Sequence, residues 1–315
     1  MKKIRALLGT CLTCCMAWLV ACSESSVLPE PSVDWGDKHF LWKVSDENSS
    51  VWLLGSIHVA DASFYPLPTV IDSAFNAASE LAVEINMSDA YTSSEVQWLI
   101  NRRGMLLEGT LWDLLPTTLW YSLDSLCSAW NLPVSTFESM RPWLVASSIS
   151  TYAYMQAGLK SEYGFDNVFM RKASEGGKPI ISLETAEEQV EALAGSSESD
   201  SAGICLLKSA IRELPKVKPS IRDLVKAWKT GDDELLNSML SEENTQDYTP
   251  SEVLYMEEFK QRLLVNRNAK MADSVASFLR DDRNVFVVVG AAHLAFEEHN
   301  VIENLRNRGY VVERY

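Results

Sequence analysis

The sequence predicts an α/β (α+β) domain whose central β-sheets are formed by strands from the two ends of the chain, with a large helical insert between them. Three observations predict it. Short apolar runs lie near the start of the domain (His39 to Val44, Val51 to Ile57) and near its end (Asn284 to Val289, Tyr310 to Tyr315), whereas from about Ser93 to Leu159 apolar residues recur at helical spacing. A strand-glycine-x-x-histidine unit occurs twice, once toward each end, as a pseudo-duplication. The composition, 47% hydrophobic and 23% charged over 315 residues, is that of a globular chain able to bury a large core.

The first residues stand apart from this domain. Lys2, Lys3 and Arg5 precede an apolar run from Ala6 to Ala21, shorter than the roughly 20 residues that span a membrane, so residues 1–21 read as a signal peptide. Leu19-Val20-Ala21-Cys22 resembles the bacterial lipobox, in which the cysteine sulfur is diacylated before cleavage. Cys22 is then a lipidated N-terminus, and several acyl chains make such an anchor stable. Ser23, rather than Asp, follows the cysteine, which points to the outer membrane facing the periplasm. Residues 22–38, rich in Ser, Pro and Glu, form a tether, and residues 39–315 the domain.

Within the domain, Asp46-Glu47-Asn48-Ser49-Ser50 joins the first two apolar runs as a hairpin. Pro66 and Pro68 precede Ile71, Ala74, Phe75 and Ala78, a helical spacing, and Leu81 to Ile85 reads as a strand. In the insert, Leu119, Leu123, Leu126 and Trp130 share one helix face. Lys178 to Leu183 is a short strand, Thr185 and Glu188 form a capping box, and Gly195 ends that helix. Helices are expected from Ser220 to Arg280 and from Glu297 to Arg308, before the last strand.

Composition excludes some functions. Loss of Lys2, Lys3 and Arg5 takes three positive charges from a net −15 and leaves −18, which disfavours nucleic acid as a partner. Cys11, Cys14 and Cys15 leave with the signal, so beyond Cys22 only Cys127 and Cys205 remain, as one disulfide or two separately buried thiols. There is no H-E-x-x-H, no G-x-S-x-G, no phosphate-binding loop and no dinucleotide fingerprint.

The repeated unit carries the chemistry. Val51 to His58 and Val285 to His293 share one plan, placing His58 and His293 beyond Gly55 and Gly290 at strand carboxyl ends, where α/β sheets hold ligands. The end strands should meet in one sheet system and make the two rings near neighbours. Gly55 and Gly290 join the cofactor-binding set, because glycine lets a backbone approach another group closely. Paired imidazoles suit metal binding and acid–base chemistry equally. Glu84, in the apolar Leu81 to Ile85 run, needs a cation or metal to offset desolvation, unless that strand is an exposed edge. Glu184 follows a strand and precedes a helix, so it is either a site carboxylate or a helix-dipole partner.

At these blocks the sequence resembles the TraB/GumN family, which includes the Tiki proteases and is related to the ChaN and erythromycin-esterase proteins. The resemblance runs through Gly55-Ser56-Ile57-His58, Tyr65-Pro66-Leu67-Pro68, Leu81 to Ile85, Arg141-Pro142-Trp143, Lys178-Pro179 with Leu183 to Gln189, Arg267-Asn268 with Met271, and Val289 to Leu294, in family order. It implies a metal core of His58, Glu84 and His293, supported by Glu184, Arg141, Arg267 and Asn268. The implied activity is metal-dependent hydrolysis in the cell envelope, with peptides as the favoured substrate, a divalent transition metal (Mn, Co or Zn) as cofactor and Glu184 as general base. The alternative is a non-catalytic, ChaN-like binder of haem or another ligand. After His293-Leu294 the family's glycine-rich turn is replaced by Ala295 to Asn300, and His299 reads as a surface residue rather than a ligand.

Overall fold

Turn-forming side chains close the first hairpin. Asp46 Oδ1 accepts from the Ser49 N–H at 2.8 Å and the Ser49 hydroxyl at 2.9 Å, and β1 (Leu41–Ser45) thereby pairs antiparallel with β2 (Ser50–Ser56). The computed structural model describes residues 34–195, 200–241, 248–296 and 298–315. Cys22, the signal segment and most of the tether lie outside the described residues, as does Glu297.

After β2 the chain runs through α1 (Thr69–Ala77) to β3 (Glu80–Val83). The insert follows as α2 (Ala90–Gly104), α3 (Leu111–Leu114), α4 (Thr117–Ala129), α5 (Pro142–Gln156) and α6 (Phe165–Glu175), and leads to β4 (Ile180–Ser182). Next come α7 (Ala186–Ala194), α8 (Ser201–Thr230), α9 (Asp233–Ser241) and α10 (Pro250–Lys260). A π-helical turn (Gln261–Val265) joins α10 to α11 (Asn266–Arg280), and β5 (Val285–Gly290), α12 (Ala291–Ala295), α13 (Val301–Asn307) and β6 (Val311–Arg314) complete the chain.

The six strands make one mixed sheet in the order β4-β3-β5-β2-β1-β6. Strands β4, β3, β5 and β2 are mutually parallel, and β1 is antiparallel to both of its neighbours. All six residues of β5 are buried, which accounts for its unbroken Val-Phe-Val-Val-Val run: an inner parallel strand is covered on both faces. At the far edge β6 closes on β1, with His39 N–H donating to Tyr315 O at 2.7 Å and Tyr315 N–H to Leu41 O at 2.9 Å. The two extremities of the domain therefore share one sheet.

Two sequence expectations are corrected and two open readings are resolved. The helix read from Ser220 begins at Ser201 and continues through Pro215 and Pro219. Each interior proline costs about 3 kcal/mol. Both sit on the exposed side, and burial of Cys205, Leu206, Leu207, Ala210 and Leu214 on the other side outweighs them. The helix expected from Glu297 to Arg308 is the shorter α13, which starts at Val301, where the Asn300 side chain accepts the Glu303 N–H at 2.7 Å. Cys127 and Cys205 are separate, buried free thiols. Glu84 stands one residue beyond β3, which lies between β4 and β5 and is no edge.

Candidate active site

The four parallel strands end at one rim, and each delivers a polar group there. His58 follows β2 by two residues, Glu84 follows β3 directly, Glu184 follows β4 by two, and His293 follows β5 by three within α12. All four side chains are buried, with His58 5%, Glu84 3%, Glu184 5% and His293 1% exposed. Hydrogen bonding continues past the strand ends, since Leu183 N–H donates to Val83 O (2.9 Å) and Glu184 N–H to Glu84 O (3.0 Å). Backbone pairing thus places the two glutamates side by side.

The two imidazoles face the same carboxylate oxygen. His58 Nε2 is 4.0 Å and His293 Nε2 3.7 Å from Glu84 Oε1. Behind each ring an acceptor holds Nδ1: Asp166 Oδ2 at 2.7 Å for His58, Asn268 Oδ1 at 2.6 Å for His293. The orientation of Asn268 follows from its Nδ2, which donates to His299 O at 3.0 Å. With their protons on Nδ1, both rings would present Nε2 lone pairs to Glu84, the arrangement outer-shell acceptors impose on metal-binding histidines.

Arg267 ties the carboxylates together. Its Nη2 donates to Glu84 Oε2 (2.6 Å) and Glu184 Oε2 (2.8 Å), its Nε to Glu184 Oε1 (2.7 Å), and its Nη1 to Leu263 O (3.0 Å). Gln189 Nε2 adds bonds to Glu184 Oε2 (2.6 Å) and Glu84 Oε2 (3.4 Å). Burial pushes the Glu84 carboxyl up, but Arg267, His293, His58 and the Gly290 N–H together hold it well below the usual carboxylate range. Burial first, then the Arg267 guanidinium, pushes the His293 imidazole down to about 3 against the opposing pull of Glu84, so this ring is neutral at ordinary pH.

Gly290 belongs to the same point. Its N–H donates to Glu84 Oε1 at 2.7 Å, and a Cβ there would lie 3.2 Å from His58 Nε2 and 3.3 Å from Glu84 Oε1. Gly55 is elsewhere, packed where a Cβ would lie 3.1 Å from both Ala291 Cα and Phe40 Cβ. Arg141 is not in the cluster: its guanidinium pairs with Asp200 at 3.1 Å, at the start of α5. Two residues of the cluster escaped the sequence reading. Asp166 is indistinguishable in sequence from a first-turn helix acid, and Gln189 lies in a block resembling the family without a chemical feature of its own.

The donors fit a metal in kind, with two imidazole lone pairs and a carboxylate, but they are not drawn together. Among the described residues no group of three or more His, Cys, Asp or Glu side chains has metal-holding geometry. Ligands about 2.1 Å from one ion sit about 3.0–3.4 Å apart at ordinary bond angles. The 3.7 and 4.0 Å separations here are wider by about half an ångström.

With this geometry, comparison with known proteins is informative. The family model described as TraB/PrgY/gumN matches residues 40–314. The chain belongs to the TraB/PrgY/gumN family. Among TraB/PrgY/gumN relatives, the uncharacterized protein YbaP of Escherichia coli (strain K12) is 24% identical over 272 residues, 85% of this chain and 94% of YbaP. Metalloprotease TIKI2 of Xenopus tropicalis is 26% identical over 320 residues, covering 87% of this chain and 59% of TIKI2. An uncharacterized protein of Treponema pallidum (strain Nichols) is 20% identical over 238 residues, 75% of this chain and 71% of that protein. No solved structure matches the chain.

Proposed function

We propose that this TraB/PrgY/gumN protein is a metal-dependent hydrolase of the cell envelope, acting on peptides. The observation that carries the proposal is the charge of the buried cluster. Asp166, Glu84 and Glu184 are three buried carboxylates, Arg267 is the guanidinium that reaches Glu84 and Glu184, and Lys270 acts on Glu184 only from the surface, so among the described residues the cluster carries an excess of negative charge when both imidazoles are neutral. Unpaired buried charge costs several kcal/mol, and one divalent cation would cancel it. His58 Nε2, His293 Nε2 and Glu84 Oε1 are the atoms that would hold such an ion, and the similarity to TIKI2 supports a peptidase. When bound, the ion supplies a Lewis acid that polarises a carbonyl and acidifies water.

The chain's own residues do the rest. Asp166 and Asn268 brace the two rings through their Nδ1 atoms, and Gly290 N–H and Arg267 orient Glu84. Glu184 has both oxygens engaged by Arg267 and Gln189, which makes it the anchor of Arg267; it can act as a base only when that clamp opens. Since the cluster is buried, a peptide reaches it only when covering segments part. The lipid on Cys22 would keep the enzyme at the membrane, so Cys22→Ser should shift it to the soluble envelope fraction.

The test is elemental analysis of the purified full chain, with Zn, Mn and Co titrations, an absorption spectrum and cleavage assays on a peptide library after loading. One divalent ion per chain, lost in His58→Ala and His293→Ala, is the expected result. Absence of divalent-ion binding overturns the assignment, and a Soret band in its place would make the protein a haem binder.

A further inference from the structure

The two strand-glycine-x-x-histidine units look equivalent in sequence but are backed differently. His293 Nδ1 meets a neutral carboxamide, Asn268, carried on α11. His58 Nδ1 meets a carboxylate, Asp166, in the first turn of α6, 108 residues further along the chain. Several contacts lock this second pairing. Phe165 N–H donates to Ile57 O at 3.2 Å, directly before His58. Gly164 is pressed so closely on the histidine's own backbone that a Cβ there would collide with the His58 carbonyl oxygen. Phe165, fully buried, stacks on Trp228 at 4.2 Å between ring centroids, and Trp228 Nε1–H donates to Gly55 O at 2.7 Å. The Gly164-Phe165-Asp166 segment therefore docks on the Gly55 to His58 turn and brings its carboxylate to the ring.

We infer that Asp166 is the positioning residue of His58: it holds the ring in the Nδ1–H tautomer and fixes its plane, so that the Nε2 lone pair is presented toward Glu84. An ionised carboxylate can only accept, so it selects one tautomer, whereas an amide at the same place can donate as well as accept and selects neither unless a further group orients it, as His299 O orients Asn268. A carboxylate behind an imidazole also makes Nε2 a better donor to a metal, and loss of such a partner typically weakens metal affinity 10–100-fold. The consequence for metal binding rests on the hydrolase reading above; the tautomer does not.

Two measurements on the full chain separate them. In metal-free protein labelled with 15N-histidine, with His58 assigned by comparison with His58→Gln, the wild type should show His58 as the Nδ1–H tautomer. Asp166→Asn should admit the Nε2–H form, and Asp166→Glu should restore Nδ1–H. In parallel, Zn2+ titration should show about 10–100-fold weaker binding in Asp166→Asn, recovered in part by Asp166→Glu. A wild-type His58 in the Nε2–H form overturns the inference without any variant, as does an Asp166→Asn protein with wild-type tautomer and wild-type Zn2+ affinity. If the tautomer changes in Asp166→Asn while the wild type takes up no Zn2+, Asp166 keeps its positioning role and the metal-dependent reading falls.

Discussion

The hydrogen bonds of Arg267 and Glu84 make opposite predictions for two neighbouring residues. Arg267 bridges two buried carboxylates, so Arg267→Leu strips both of their buried counter-charge and should destabilise the protein on the order of 3–5 kcal/mol. Glu84→Gln removes one of the surplus negative charges while Arg267 keeps its two-pronged grip on Glu184, so the metal-free protein should be as stable as wild type or more so, with metal retention lost. Denaturant melts of the two variants beside wild type check the asymmetry. Equal destabilisation by both would mean that Glu84 serves the fold. The pH dependence has one sign. His293 binds a proton near 6.5 when unfolded and near 3 when folded, so below about 6.5 the unfolded state takes up the proton that the native state refuses. Stability of the metal-free protein should fall from about pH 6.5 toward about pH 3, by up to about 1.4 kcal/mol per unit from this ring alone, and Glu84, also held low, adds to the loss in the acid part. His293→Gln should flatten the upper part of the profile. At this scale the convergence of His58, Glu84 and His293 was legible because glycine-x-x-histidine and a carboxylate in an apolar run are rare patterns. Asp166 was not, since what distinguishes it is a contact made across 108 residues of chain.

Among the elements, the π turn at Gln261–Val265 has a definite task. A π turn is one residue wider than an α turn and is often found at functional sites. Here Leu263 O accepts from the Arg267 side chain at 3.0 Å, and the next residues, Arg267 and Asn268, both point into the cluster with 6% and 0% exposure. Deleting Val265 should convert the segment to regular α-helix and turn α10 by about 100° relative to α11. Helix content in circular dichroism should persist, whereas metal affinity and melting temperature should both drop because Arg267 loses its Leu263 anchor. An unchanged metal affinity would show that the bulge is incidental. Nothing in Gln-Arg-Leu-Leu-Val announces it, since the segment reads as ordinary helix. The hairpin, the capping box at Thr185 and the Asn300 cap were local and so were readable, or should have been. The start of α8 at Ser201 was not readable locally, because tertiary burial on the face opposite Pro215 and Pro219 overrides the rule that proline breaks a helix.

For the whole molecule, the legible part was that the ends of the chain meet; the strand order was not, because β5 inserts between β3 and β2, a choice set by which strand is apolar on both faces and by the connections over the sheet. The pairing of β6 with β1 has a use of its own in protein engineering. Since His39 N–H lies 2.7 Å from Tyr315 O, a few linker residues could join the ends of the domain, and new termini could be opened at the exposed Gly176-Gly177 turn. That cut sorts the cluster by origin: His58, Glu84 and Asp166 fall on one side, Glu184, Gln189, Arg267, Asn268 and His293 on the other. Neither piece owns both imidazoles. A folded chain nicked at Gly177 should therefore hold its two pieces together through the β2–β5 and β3–β5 pairings and co-elute as one species, and metal uptake would report reassembly of a split protein in which the contacts of Glu84 with Arg267, Gly290 and His293 bridge the break.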